Sequence, residues 1–85
     1  MPITPAQSRG ARGLLGMSQS ELSAASDVSL RTIQHFEAGE RQPIPATAIA
    51  IERALERAGV EFIAENGGGP GVRLAKQQPK RKGRK

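Results

Sequence analysis

The chain has one histidine and no cysteine, and that limits its chemistry at once. Neither a cysteine–histidine nucleophile nor a multi-histidine or thiolate metal site can be assembled. The histidine, His35, lies in "SLRTIQHFEAGERQP", residues 29–43, with Arg31, Gln34 and Glu37 close by. It could work with a serine or a carboxylate only inside a pocket, and a convex helix face is not expected to provide one. The glycine-rich "NGGGPG" at 66–71 lacks the lysine and following helix of a phosphate-binding loop. No catalytic residue, metal ligand or cofactor is read from the chain, and the expectation is that it is not an enzyme. What residues 31–37 offer is hydrogen bonding.

A helix must position these groups. At about 100° per residue, Ile33 and Phe36 share one side of residues 29–38, with Glu37 near them. Arg31 and His35, four apart, share the opposite side, flanked by Gln34. Thr32 lies at the other margin, and Leu30 lies close to the apolar face. Ser29 is the expected cap and Gly39 the stop, with Pro43 and Pro45 preventing helical continuation. Alone, this is an amphipathic helix with one dry face and one wet one, of the kind that usually just faces solvent.

Three more helices are read from their start and stop signals. In "TPAQSRGARGLLG" Thr4 and Gln7 form a capping box, Pro5 fits the first helical position, and Gly16 ends the helix. Ala11, Leu14 and Leu15 form its apolar stripe. "SQSELSAAS" carries a second box, Ser18 with Glu21, and points Leu22 and Ala25 one way. "TAIAIERALERAG" is capped by Thr47, stopped by Gly59 and striped by Ala48, Ile51, Leu55 and Ala58. The period then changes. "VEFIAE" and "VRLA" alternate around "NGGGPG" and read as a β-hairpin. Val60, Phe62, Val72 and Leu74 should face the body, leaving Ile63 on the other side.

"SQSELSAASDVSLRTIQHFEAG" therefore sets two short capped helices around "SDVS", the layout of a helix-turn-helix. Asp27 can supply the positive φ that such a turn needs. Here the chain resembles the DNA-binding domains of the Cro and lambdoid phage repressor type, the XRE family. "SQSEL", "VS", "TI" and "FEAGERQP" carry the resemblance, which runs from about Gln7 to Leu55. Gln19, Val28, Ser29, Ile33, Glu37 and Gly39 match the family pattern. Ser23 stands where the family has alanine, and Asp27 where it has the turn glycine. "ALERAGVEFIAENGGGPGVRL" looks like an extension found on many short bacterial members.

The resemblance implies a mainly α, four-to-five-helix repressor-like domain with a C-terminal hairpin, whose third helix enters the major groove of double-stranded DNA. Arg31 would then donate to guanine, Gln34 would suit adenine, and His35 would reach guanine or a phosphate. Leu30 would touch a thymine methyl or sit at the core edge. Ser18, Gln19, Ser29, Thr32, Arg41, Gln42 and Arg9 would position the phosphate backbone. The resemblance also supplies a partner for Glu37, an arginine on the first helix, and Arg12 occupies that place. The pair would be structural; otherwise the two are independent solvated charges.

Charge divides the chain further. Residues 76–85, "KQQPKRKGRK", carry six of the thirteen Lys and Arg and no acid, whereas residues 1–75 carry seven arginines against eight acids. The expected organisation is a helix-turn-helix domain at 1–59 (the motif itself about 18–37), a hairpin at 60–75 and a disordered basic tail at 76–85. The tail either lies along nucleic acid or merely solubilises. A homodimer is expected, because one short helix reads few base pairs, with Val60, Phe62, Ile63, Val72 and Leu74 as candidate contacts; alternatively, the hairpin only caps the monomer core. The expected function is a dimeric transcriptional repressor. The alternatives are an antitoxin or transcription-bridging module that binds a second protein as well as DNA, and RNA binding through "PKRKGRK". No apolar run reaches membrane-spanning length, and the expected location is the cytoplasm.

Overall fold

The computed structural model describes residues 3–40 and 43–75. The expectations for Arg41, Gln42 and the tail at 76–85 lie outside the described residues. The fold is mainly helical: α1 Pro5–Leu15, α2 Gln19–Ser26, α3 Leu30–Glu37 and α4 Pro45–Ala58, then a hairpin of β1 Val60–Ile63 and β2 Gly71–Leu74.

Local chemistry sets most of these boundaries. The Thr4 hydroxyl accepts from the Gln7 N–H while the Gln7 carboxamide oxygen accepts from the Thr4 N–H, so two donors without helical partners are satisfied reciprocally. Ser18 and Glu21 do the same for α2. Ser29 caps α3 through the Thr32 N–H. The helix α4 starts earlier than expected. Pro45 is at its first position behind Ile44, which makes no side-chain cap, and Thr47 is already helical. A proline costs nothing there: its missing N–H would have been unpaired anyway, and its fixed φ suits the helix.

The turn between α2 and α3 departs from glycine yet is well held. Asp27 adopts φ 64°, the only non-glycine residue with positive φ among the described residues. Two serines brace it. The Ser23 hydroxyl donates to the Val28 carbonyl (2.6 Å), and the Ser26 hydroxyl donates to the Leu22 carbonyl (2.7 Å) and accepts from the Val28 N–H (3.3 Å). The hydroxyl that an alanine at 23 would lack thus closes the turn.

One core joins all parts: Ile3, Ala11, Leu22, Ile33, Phe36, Ile51, Ala54, Leu55 and Val60, with Leu15, Met17, Val28, Phe62 and Val72 packed against it. Three predicted stripes are corrected. On α1 the buried side chains are Gln7, Ser8 and Ala11, while Leu14 is exposed. On α2, Ser26 is buried and Ala25 exposed; on α4, Ala54 is buried and Ala58 exposed. Ala11, Leu22, Ala48, Ile51 and Leu55 stay buried as expected, so only the margin of each stripe shifts. Buried hydrogen bonds let serine and glutamine occupy inward positions.

The strands are antiparallel, with Val60 opposite Leu74, Glu61 opposite Arg73, Phe62 opposite Val72 and Ile63 opposite Gly71. Gly10 of α1 lets β2 approach, since a Cβ there would lie 3.3 Å from Val72 Cγ1. Gln7, 3% exposed, ties α1 to the far end of the hairpin: its amide donates to the Gly71 carbonyl (2.7 Å) and the Ile63 carbonyl (3.3 Å). Val60 is buried, and Phe62, Val72 and Ile63 are half-buried. Leu74 is corrected: it is 54% exposed rather than packed on the body. The described contacts of α1 with β2 are at Gly71 and Val72, and a two-stranded sheet has no neighbouring strand to cover a side chain beyond them.

Candidate nucleic-acid interface

The third helix is split cleanly between an inner and an outer face. Ile33, Phe36 and Glu37 are buried. Leu30, Arg31 and Gln34 are exposed, and the His35 side chain is half-exposed. Leu30 is 37% exposed, at the margin between the two faces. Arg31, Thr32, His35 and Phe36, with Pro43 from the following loop, line an open groove of about 310 Å³ along this helix. The His35 Nδ1 lies 3.7 Å from a Glu40 carboxylate oxygen.

Glu37 anchors the helix from below. Its carboxylate is 2% exposed and gathers donors from α1 and α2. Arg12 approaches as a fork, with Nη2 at 2.6 Å from Oε1 and Nε at 2.9 Å from Oε2. The Ser8 hydroxyl donates to Oε2 at 2.5 Å, and the Gln19 amide donates to Oε1 at 3.1 Å. Burial pushes this carboxyl upward, but the hydrogen bonds from Arg12, Ser8 and Gln19 outweigh it and hold Glu37 below its ordinary value. The same hydrogen bond raises the Arg12 guanidinium, against the opposing effect of its partial burial. Both groups are therefore charged at neutral pH. Arg12 also donates through Nη1 to the Met17 carbonyl (3.1 Å), bracing the segment between α1 and α2.

The residues expected to touch phosphate are distributed unevenly. Ser18 and Ser29 are exposed at the N-termini of α2 and α3. The Ser29 hydroxyl donates to Thr32 Oγ1 at 2.8 Å, and Thr32 is half-buried. Gln19 sits at the start of α2 as expected, but its amide is turned inward to Glu37. Arg9 is exposed, and its guanidinium donates to the Glu37 carbonyl at the end of α3.

Two contributors were missed from sequence. Ser8 was given no role, yet it is fully buried against Glu37. Gln7 was read only as half of a capping box, yet the same amide clasps the hairpin. Residues 7, 8, 11 and 15 do have the spacing of an inward helix stripe, and polar residues on such a stripe are the available signal. Spacing cannot say which partner satisfies them.

A protein-family model described as Helix-turn-helix matches residues 9–62, more than half of the chain. No curated protein matches it.

Proposed function

Because the chain belongs to the helix-turn-helix family, of the XRE type, and is thus a DNA-binding transcription regulator, we propose that it acts as a dimeric repressor that reads the major groove with α3. The observation that carries this reading is the division of α3. Its inner face is fixed to α1 and α2 through Glu37, while Leu30, Arg31, Gln34 and His35 project from a helix that cannot easily rotate. Rigid presentation matters, because bidentate readout tolerates little angular error.

In this reading Arg31 reads guanine, Gln34 adenine, His35 guanine or phosphate, and Leu30 a thymine methyl. Ser18, Ser29 and Thr32 take phosphates beside the two helix N-termini, where unpaired N–H groups favour anions. Gln19 acts by orienting Glu37, and Arg12 and Glu37 are structural. Two copies would place their α3 helices about 34 Å apart on successive turns of one DNA face. The hairpin side is the proposed contact: Leu14 and Leu74 are both exposed apolar side chains, on the helix and strand that pack together there. The working division is residues 1–59 for DNA, 60–75 for assembly and 76–85 as a separate basic segment.

Selection of binding sites from random duplexes tests the proposal. A two-fold symmetric motif is expected. Arg31→Ala should relax preference at one base pair of each half-site, weakening the selected site by about 1–3 kcal/mol while leaving random duplex nearly unaffected. An asymmetric motif with a monomeric complex would refute the dimer. An Arg31→Ala protein with unaltered preference would remove α3 as the reader. Copurification of a second protein on the Leu74 side would instead favour a partner-binding module.

A further inference from the structure

Glu40 is an exposed acid beside a face proposed to meet DNA, where a carboxylate repels phosphate. The backbone puts it there. Gly39 takes φ 72° and turns the chain back on α3. Its N–H donates to the Phe36 carbonyl (3.0 Å), and the Glu40 N–H donates to the His35 carbonyl (3.1 Å). The Glu40 backbone is thus held against the last turn of the helix. Its carboxylate oxygen lies 3.7 Å from His35 Nδ1, longer than a hydrogen bond but within ion-pair reach. Two more charged groups belong to the same helix. Arg31, one turn back, lines the groove with His35, whereas Glu37 is buried on the inner face against Arg12. Arg41 lies outside the described residues.

The two nitrogens of an imidazole are distinct, and a carboxylate beside one of them selects which carries the proton. An ionised carboxylate only accepts. Neutral His35 therefore keeps its proton on Nδ1, towards Glu40, and Nε2 on the far side of the ring is left as a bare acceptor. Charged His35 donates from both nitrogens. In the major groove the two states ask for opposite partners. A bare Nε2 needs an amino group, which adenine N6 and cytosine N4 offer. An Nε2–H needs guanine N7 or O6, or a phosphate oxygen. We propose that Glu40 is a specificity-determining residue. By holding the His35 proton on Nδ1, it makes neutral His35 read a base amino group and admits guanine only when His35 is charged. Glu40 itself touches no base; it is a positioning residue that acts through His35. The inference rests on the reading of α3 as the base-reading helix, and it states which base His35 selects in each protonation state.

The chain has one histidine, so its imidazole signals are unambiguous. Nitrogen-15 NMR of the free full-length protein is recorded at about pH 8 and low salt, where an exposed pair is least screened. The Nδ1–H form should be the major one in the wild-type protein, and the Nε2–H form in Glu40→Gln. Equal tautomer populations in the two proteins overturn the proposal, whatever either does with DNA. Site selection is then repeated at about pH 5 and about pH 8, the limits between which histidine changes charge. Glu37, held below its ordinary value, stays largely ionised across this window, so the fold is the same in both selections. His35→Ala identifies the base pair concerned by relaxing it. There the wild-type protein should favour adenine or cytosine over guanine by roughly fivefold at the higher pH, the worth of one hydrogen bond. The preference should turn towards guanine at the lower pH. Glu40→Gln should accept guanine at both. A preference that ignores pH, or that Glu40→Gln leaves unaltered, overturns the proposal. So does a gain at low pH that is uniform across sequences, since charge alone would produce it. The two readings fail separately. If His35→Ala relaxes no base pair while Arg31→Ala still relaxes one, the role of Glu40 falls and α3 stands as the reader; if neither variant relaxes any, both fall.

Discussion

Glu37→Gln probes the joint on which the interface depends. The substitution keeps size and shape but removes the charge and replaces one acceptor oxygen by a donor. In the wild-type protein that carboxylate accepts from Arg12 Nε and Nη2, Ser8 Oγ and Gln19 Nε2, all within 3.1 Å, at a site 2% exposed. An amide satisfies at most half of these donors, and its own N–H₂ group faces the rest. Removing one partner of a buried ion pair costs about 3–5 kcal/mol. Arg12 keeps some contact with solvent, so the lower end, about 3 kcal/mol, is expected. In a domain of this size each kcal/mol moves Tm by roughly 4–8 °C, and the predicted loss is therefore about 12–24 °C. Circular dichroism melts of Glu37→Gln, Arg12→Met and the double variant make the measurement. Because both single variants break the same pair, the double variant should be little less stable than either one. A Tm within a few degrees of wild type, or costs that simply add, would refute the claim that Glu37 is the shared acceptor joining α1, α2 and α3.

The same network sets a pH dependence. Glu37 has a folded value below its ordinary 4.5, so its contribution is complete above that value and is lost as pH falls through the lower folded one. Wild-type Tm should decline as pH falls below the ordinary carboxylate range and through the lowered folded value of Glu37, and Glu37→Gln should flatten that decline. Glu52, raised by burial and by nearby Glu56, works in the opposite sense, and comparison with the glutamine variant isolates Glu37. Two glycines of α1 give a paired test. Gly13 faces open space, so Gly13→Ala should stabilise by about 0.5–1 kcal/mol. Gly10→Ala would place its methyl 3.3 Å from Val72 and should gain less or lose stability, as urea melts would show. Equal gains at both positions would contradict the close packing of β2 on α1.

Much of this protein was legible in its sequence because the signals are local. The boxes Thr4–Gln7 and Ser18–Glu21, the cap at Ser29, the left-handed turn at Asp27 and the alternation after Gly59 each involve residues within a few positions, so short-range hydrogen bonding and side-chain period suffice to place them. Leu30, Arg31, Gln34 and His35 follow from helix geometry once Ile33 and Phe36 are taken as the inner face. The resemblance to the XRE family supplied the idea of DNA and the pairing of Arg12 with Glu37, neither of which periodicity contains.

Tertiary structure decided what the polar residues do. Ser8 and Gln7 are ordinary helix residues by sequence, yet one is sealed against a carboxylate 29 positions away and the other against carbonyls 56 and 64 positions away. Leu14 and Leu74 read as core and are exposed, since whether an apolar stripe is covered depends on elements that pack against it from elsewhere. The arginines show this most clearly. Their number is a property of the sequence, but only the fold commits Arg9, Arg12, Arg57 and Arg73 to acceptors of the protein itself. A charge count treats every guanidinium alike; whether it can face a phosphate depends on which oxygen the folded chain has already brought within its reach.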